Sequence, residues 1–470
     1  MREEALLFYH YLTHHIVPGP QSISYFVPLV LLPIALLVPR SRLSRWQSIV
    51  LFMPVMLACT LHAWWRMEGV DVISVDTLLW AAFLLVFRDP WRDFRWAGGV
   101  RRGGIDRRST ESTEVRQAQE ETTTGKQTAL PSEVATSRSK FTTTEQAYPT
   151  SFWTRLPWVN TLLVSIRLNN WKITSRTHDS AQPPSPAFRN RKTFVVYTLF
   201  CFARGYLTLD LTRAYISSDS YFTDTDLPVT SPLPFGGISG LPARFLRSMV
   251  VGAQAWALIS QMFYLPCLLP VGLHALGWIS DEWAPHNWPP YFGSPEVIFL
   301  HGIRGFWGLY WHQTMRWSVA GPGYAIADAV GLKAGGLFRY GIITCVAFLL
   351  SGTVHMGLVP PQPLHATMDA NTIRMLVAGF FWMQPLGMLM EVLFARSIVA
   401  TVGLQRWRSG LGRWLRMLLN GIWVVMWFTT TMPLLAEAGR QLGYWRVWPV
   451  PVSVWMGMRG EDWIAWGVLR

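Results

Sequence analysis

Charge is scarce in this 470-residue chain: Asp, Glu, Lys and Arg together make up 15% of it, while half is apolar. A water-soluble domain of that length exposes far more charge, so the shortage argues for a membrane-protein composition. Cysteine is scarcer still. Cys59, Cys201, Cys267 and Cys345 all stand in apolar runs, with neither the CxxC spacing of a metal site nor the polar setting of a secreted disulfide scaffold, and they read as core packing. The N-terminal MREEALLFYHYLTHH lacks the cationic start, apolar stretch and cleavage site of a signal peptide, so the first span is expected to anchor the mature protein. There is no GxSxG elbow, Walker A loop or HExxH, and a covalent serine mechanism and nucleotide hydrolysis both lose support. HYLTHH, His10 to His15, resembles a di-iron histidine box, but no companion boxes follow, and no metal is expected.

What the chain has instead is long apolar runs. They lie near Ser22 to Val38, Ser48 to Trp65, Val72 to Phe87, Thr193 to Ile216, Met249 to Trp278, Phe338 to Val359, Thr372 to Ala395 and Leu415 to Leu435, about eight spans of the length a bilayer requires. The run ending at Trp278 carries Pro266 and Pro270 and is expected to be kinked or divided. The net charge of +13 sits beside apolar runs rather than on one aromatic-interleaved face, so membrane orientation explains it better than nucleic acid. Residues Arg88 to Lys192 hold 18 basic and 10 acidic side chains, and RSRLSR (Arg40 to Arg45) and the segment from Arg396 to Arg416 are also basic. Eight spans put these three segments on one side, the cytosolic one, with the acidic SSDSYFTDTDLP and the HATMDAN loop opposite.

The expected organisation is therefore an all-α integral membrane protein of about eight transmembrane helices plus interfacial amphipathic helices around a central tunnel. Residues 1–96 form the first three spans, and 97–150 a disordered cytosolic insert, too polar to offset ordering entropy. Residues 151–192 carry an interfacial helix, FWTRLPWVNTLLVSIRLNNW, and a basic loop; 193–470 make the core. No internal repeat supports an inverted-repeat transporter.

Three constellations stand out. His355, in FLLSGTVHMG deep in the sixth span, puts an ionisable group in an apolar segment, which is a functional signal by default; the plain alternative is an interhelical hydrogen bond. A neutral imidazole there is a plausible general base. In WPPYFGSPEVIFLHGIRGFWGLYWHQTMRW, Ser294-Pro295-Glu296 reads as a helix start, and on that helix Trp307 and Trp311, Gly308 and His312, and His312 and Arg316 are each four apart. An interfacial aromatic anchor is the plain alternative. In FFWMQPLGMLME, Gln384, Gly387 and Glu391 share a helix face, with Glu391 also able to pair with a cation such as Arg396. Arg204, Asp210 and Arg213 on the fourth span read as an internal ion pair that glues packing.

The four blocks WPPYFGSP, FWGLYWHQTMR, FLLSGTVHMG and FFWMQPLGMLME, in this order from Trp283 to Glu391, resemble the wax synthase-like branch of the membrane-bound O-acyltransferases, above all fungal members that acetylate terpenoid natural products. The resemblance implies transfer of an acyl group from coenzyme A to a hydroxyl, with His355 as catalytic base and His312 as the second active-site position. Acetyl-CoA is then a co-substrate and no cofactor is bound permanently. Coenzyme A is anionic and should arrive from the basic face, where Arg304, Arg316, Lys333 and Arg339 can meet its phosphates. Gln313 and His312 polarise the thioester carbonyl or orient His355; Trp307, Trp311, Gln384 and Glu391 position substrate. Leu309-Tyr310 stand where relatives often carry a basic pair. The partners implied are a hydrophobic hydroxylated small molecule, acyl-CoA and the membrane, with no nucleic acid, and the location implied is the endoplasmic reticulum. A long-chain wax synthase, a proton-coupled transporter and a catalytically silent scaffold are the competing readings.

Overall fold

The computed structural model describes residues 23–66, 72–100, 143–165, 167–168, 170–173, 188, 190–360, 366–403, 410–461 and 463–465. The His10 to His15 cluster, the central part of the polar insert and the basic stretch 404–409 lie outside them. The described residues are mostly helical. In order come α1 (Ile23–Leu37), α2 (Arg45–Arg66), α3 (Ile73–Ala81, prolonged by a π-turn, Ala82–Phe87), α4 (Phe152–Val164), α5 (Arg191–Ser218), α6 (Leu241–Tyr264), α7 (Leu268–Ala275), α8 (Glu296–Gly305), α9 (Arg316–Ala329), α10 (Leu337–Met356), α11 (Ala370–Val402), α12 (Gly410–Gln441) and the short α13 (Val454–Met458).

Six helical stretches are long and apolar enough to cross a membrane: Arg45–Trp64, Arg191–Ser218, Leu241–Ala275, Leu337–Met356, Ala370–Thr401 and Gly410–Gln441. Of the eight expected spans, the first and third are shorter apolar helices, Ile23–Leu37 and Ile73–Phe87. The run with two prolines is divided, α6 ending at Tyr264 and α7 starting at Leu268. Pro266 stands between them, its missing N–H and its ring both opposing helix continuation. Phe200, Leu211, Leu269, Phe394 and Leu418 point outward on these helices, each more than half exposed. So much apolar surface is tolerable only against lipid.

The two largest of five buried apolar clusters among the described residues hold most of the bundle. One joins α1, α2, α3 and α4 through Leu32, Phe52, Phe83, Leu84 and Trp158, and reaches Trp317 at the start of α9. The other, around Val377, Phe380, Phe381, Trp427 and Phe428, is the contact of α11 and α12 with α8. The all-α membrane fold carries one small sheet. Strands β1 (Phe94–Val100), β2 (Thr143–Gln146) and β3 (Trp171–Ile173) form an antiparallel sheet in the order β2-β1-β3, with Trp96 opposite both Gln146 and Trp171. The edges of the segment expected to lack order, 97–100 and 143–146, are thus paired strands. Trp96, Trp158 and Trp171 pack together beneath them, burying aromatic area that the polar average of the insert conceals.

The fourth-span charges also pair otherwise than expected. Asp210 accepts from the Trp448 Nε1–H, the Ser453 hydroxyl and the Trp455 N–H, tying down the segment around α13. Arg213 donates to the Trp445 carbonyl, and Arg204 lies over the Trp256 ring at 4.8 Å.

Candidate active site

The chain between α7 and α10 holds the site, and it is not the single helix that the spacing of Trp307, His312 and Arg316 suggests. Helix α8 breaks at Gly302, where φ is 61° and ψ −140°, a conformation closed to residues with a Cβ. The break strips Ile303 of its helical acceptor. Glu391, 7% exposed on α11, replaces it: one carboxylate oxygen accepts from the Ile303 N–H at 2.7 Å and the other from Arg304 Nε at 3.1 Å. A Cβ on residue 302 would lie 2.4 Å from that carboxylate. Beyond the break the chain winds into a π-turn, Phe306–Tyr310, and leaves it extended at Trp311 (ψ 152°).

Enclosed irregular backbone must find hydrogen-bond partners within the protein, and the polar side chains singled out in the sequence do this work. Gln313, 8% exposed, gives both amide hydrogens to the Trp307 and Trp311 carbonyls, at 3.0 and 2.6 Å. Arg316 donates to the Gly308 carbonyl and to Gln313 Oε1. Gln384, fully buried, accepts from the Trp307 and Trp427 indole N–H groups, each at 3.1 Å, and donates to the Phe380 carbonyl. Trp307 is thereby fixed between α11 and α12, with Phe380 and Phe428 against its ring, while Trp311 stacks on Phe306.

This frame holds His312 at the end of the turn. Its Nδ1 is 2.7 Å from the Thr314 hydroxyl, which also meets the Tyr291 phenol, and its ring stacks on Tyr291 at 5.6 Å and 9°. Burial, then the nearby charges of His355 and Arg167, push His312 down to about 3, so the imidazole is neutral in any ordinary buffer.

His355 is not in mid-span but in the last turn of α10, which ends at Met356, shortly before Pro360. Its Nδ1 lies 2.7 Å from the Ser351 carbonyl. A carbonyl only accepts, so the neutral ring carries its proton on Nδ1 and its lone pair on Nε2. The ring rests on Phe381 at 4.0 Å. Gly352 brings α11 this close: a Cβ there would be 2.5 Å from the Trp382 ring nitrogen and 3.1 Å from the Ala378 carbonyl. Helix α9 packs on α10, with residue 323 against Ile343, and the charge of His355 bears on His312. Both histidines are half-buried.

The four expected phosphate ligands fare differently. Lys333 is exposed on the turn between α9 and α10, and Arg304 keeps 41% of its side-chain surface beside Glu391. Arg339 is 5% exposed and paired with Asp328 at 2.7 Å, and Arg316 is half-buried with its Nη1 serving the turn. Gln313 has no amide hydrogen left for a carbonyl. Glu391 pairs with Arg304, not with Arg396. Sequence reasoning passed over Tyr291, Thr314 and Phe381, the direct neighbours of the two imidazoles. All three lie inside the blocks WPPYFGSP, FWGLYWHQTMR and FFWMQPLGMLME, but nothing in their spacing marked them.

Residues 288–382, which run from just before Tyr291 to just past Phe381, match the sequence pattern of the Membrane bound O-acyl transferase family. The chain is similar to the acetyltransferase eriL of Hericium erinaceus, 27% identical over 67% of this chain and 74% of that one. It is 25% identical to the acetyltransferase ple2 of Rhodocybe pseudopiperita over 59% of this chain and 65% of the relative. With the acetyltransferase pyr8 of Aspergillus fumigatus it shares 31% identity over 60% and 64%. No solved structure matches.

Proposed function

We propose that this acyltransferase, a member of the membrane-bound O-acyl transferase family, moves an acetyl group from acetyl-CoA to a hydroxyl of a hydrophobic, terpenoid-like metabolite, with His355 as general base. The observation that carries the reading is the hydrogen bond from His355 Nδ1 to the Ser351 carbonyl, beside a second enclosed imidazole. It leaves Nε2 as the lone pair that takes the proton.

In this mechanism the acceptor hydroxyl gives its proton to His355 Nε2 as its oxygen attacks the thioester carbonyl carbon. The charge that develops on the carbonyl oxygen needs a donor. His312 is kept neutral by burial; this mechanism requires the tautomer in which its Nδ1, 2.7 Å from the Thr314 hydroxyl, accepts from that hydroxyl and its Nε2–H serves the developing oxyanion. Collapse of the tetrahedral adduct breaks the C–S bond, and the imidazolium returns its proton to the departing thiolate, so the products are the ester and free coenzyme A. A positioned base of this kind is worth on the order of 10²–10⁴ in rate.

The donor reaches the histidines from the basic, cytosolic face, past Lys333 and Arg304, and the acceptor enters from the bilayer; a tunnel through the bundle joins the two routes. The membrane is that of the endoplasmic reticulum, with the polar insert in the cytosol. The test uses membranes from expressing cells, radiolabelled acetyl-CoA or palmitoyl-CoA, and a panel of hydroxylated terpenoids and fatty alcohols. Acetyl esters of terpenoids are expected, and His355→Ala should lose them at normal protein levels. Transfer of palmitate alone would replace the acetyl reading with a wax synthase, and full turnover by His355→Ala would end the base assignment.

A further inference from the structure

Arg167 has no partner that explains it. It stands in the turn between α4 and β3, partly enclosed, and of its five N–H groups one donates to the Pro290 carbonyl at 3.1 Å while Nε is buried without a partner. Among the described residues no carboxylate bears on it; the groups that do are the phenols of Tyr291 and Tyr264. Two other enclosed arginines are satisfied: Arg247 grips Asp219 and three backbone carbonyls, and Arg155 holds the carbonyls of Leu37, Pro149 and Thr150. Arg45, at the start of α2, shares the unpartnered Nε and bonds the Val86 carbonyl, but it is not among the groups that bear on His312. Arg213 also lacks a carboxylate, but at 1% exposure it has no surface to offer. Arg167 keeps some.

The turn is built to hold it. Leu168 and Asn170, neither of them glycine, have φ of 52° and 60°, a left-handed backbone that persists only where its surroundings insist. Leu168 is 5% exposed. The Asn170 carbonyl takes the Ala97 N–H, its side-chain amide meets Asn287, and the Arg167 carbonyl accepts from the Trp317 indole. The guanidinium carbon lies 6.0 Å from the centre of the Tyr291 ring, the ring on which His312 stacks, and its charge is felt at His312.

We infer that Arg167 is the cation of the donor site: its unpaired guanidinium binds an anionic oxygen of the acyl donor next to His312, either a phosphate of coenzyme A or the oxyanion of the thioester adduct. The inference rests on the acetyl-transfer reading above. A buried guanidinium without a counter-charge is costly, and a substrate that supplies the charge removes that cost only while bound.

Initial rates of Arg167→Met and Arg167→Lys, normalised to folded protein, with acetyl-CoA and with S-acetylpantetheine, which has no phosphate, test this. If the oxygen is a phosphate, Arg167→Met raises KM for acetyl-CoA about tenfold and leaves S-acetylpantetheine kinetics untouched. If it is the oxyanion, kcat falls on the order of 10²-fold with both donors at little change in KM. Arg167→Lys should lie between wild type and Arg167→Met in either case, and serves alone if Arg167→Met does not accumulate. Variants with wild-type kcat and KM for both donors, whatever their yield, overturn the assignment. A wild-type enzyme that transfers no acyl group from either donor would sink the parent reading, and this one with it.

Discussion

The joint between Gly302 and Glu391 carries a prediction whose size follows from the geometry. Gly302→Ala forces a side chain into a conformation costing about 1–3 kcal/mol and sets its Cβ 2.4 Å from the Glu391 carboxylate. The carboxylate must then leave the Ile303 N–H, a donor on a fully buried residue, at a further cost of about 1–3 kcal/mol. Glu391→Ala orphans the same N–H for about the same 1–3 kcal/mol. It adds little for Arg304, which is 41% exposed, because water screens such pairs. The orphaned N–H is common to both variants and is lost only once in the double variant. Its destabilisation should therefore fall short of the sum of the singles by about 1–3 kcal/mol. Reversible unfolding in mixed micelles, followed by tryptophan fluorescence, gives the three values. Strict additivity would show that the carboxylate and the broken helix are independent, and the account of why α8 can break would be wrong.

Other consequences follow from the same frame. Gln384→Leu leaves the indole N–H groups of Trp307 and Trp427 without their acceptor, at about 1–3 kcal/mol each, and should depress kcat through the turn that carries His312; unaltered kcat and stability would remove Gln384 from the frame. Because His312 is held at about 3 against an ordinary 6.5, the native state resists its protonation. Its contribution to stability should be complete above pH 6.5 and decline as pH falls toward 3; His312→Phe should flatten that decline in pH-dependent unfolding. Asp219→Asn strips the charge from a carboxylate gripped twice by Arg247, their side chains 2% and 1% exposed. Leaving that guanidinium unpaired should cost about 3–5 kcal/mol, read as sharply reduced accumulation.

The membrane class, the six long helices and the ordering of the blocks were legible because lipid imposes a long apolar run on each crossing, and such runs show in composition alone. His355 drew attention because an imidazole is rare where leucine is expected, and His312 because it stands in the FWGLYWHQTMR block. The break at Gly302 was not legible. GIRGFWG and the flanking apolar residues read as one helix until Glu391, 88 residues on, is seen to stand under the freed N–H. The three-stranded sheet escaped for a similar reason, since β1 and β2 flank a long polar segment and neither strand has a partner until the chain folds.

From its residues alone the chain is committed to a bilayer and to a pair of imidazoles, for both follow from what each residue type tolerates locally. Which polar groups serve chemistry and which serve the backbone was decided only in three dimensions. Gln313, Gln384, Glu391, Arg316 and Arg339 are engaged by backbone, indole or carboxylate partners, and Arg167, unremarkable in its sequence context, is brought beside the site. The reason is that a hydrogen-bonding or charged side chain is claimed by whichever partner the tertiary contacts bring near, and sequence spacing does not record that distance.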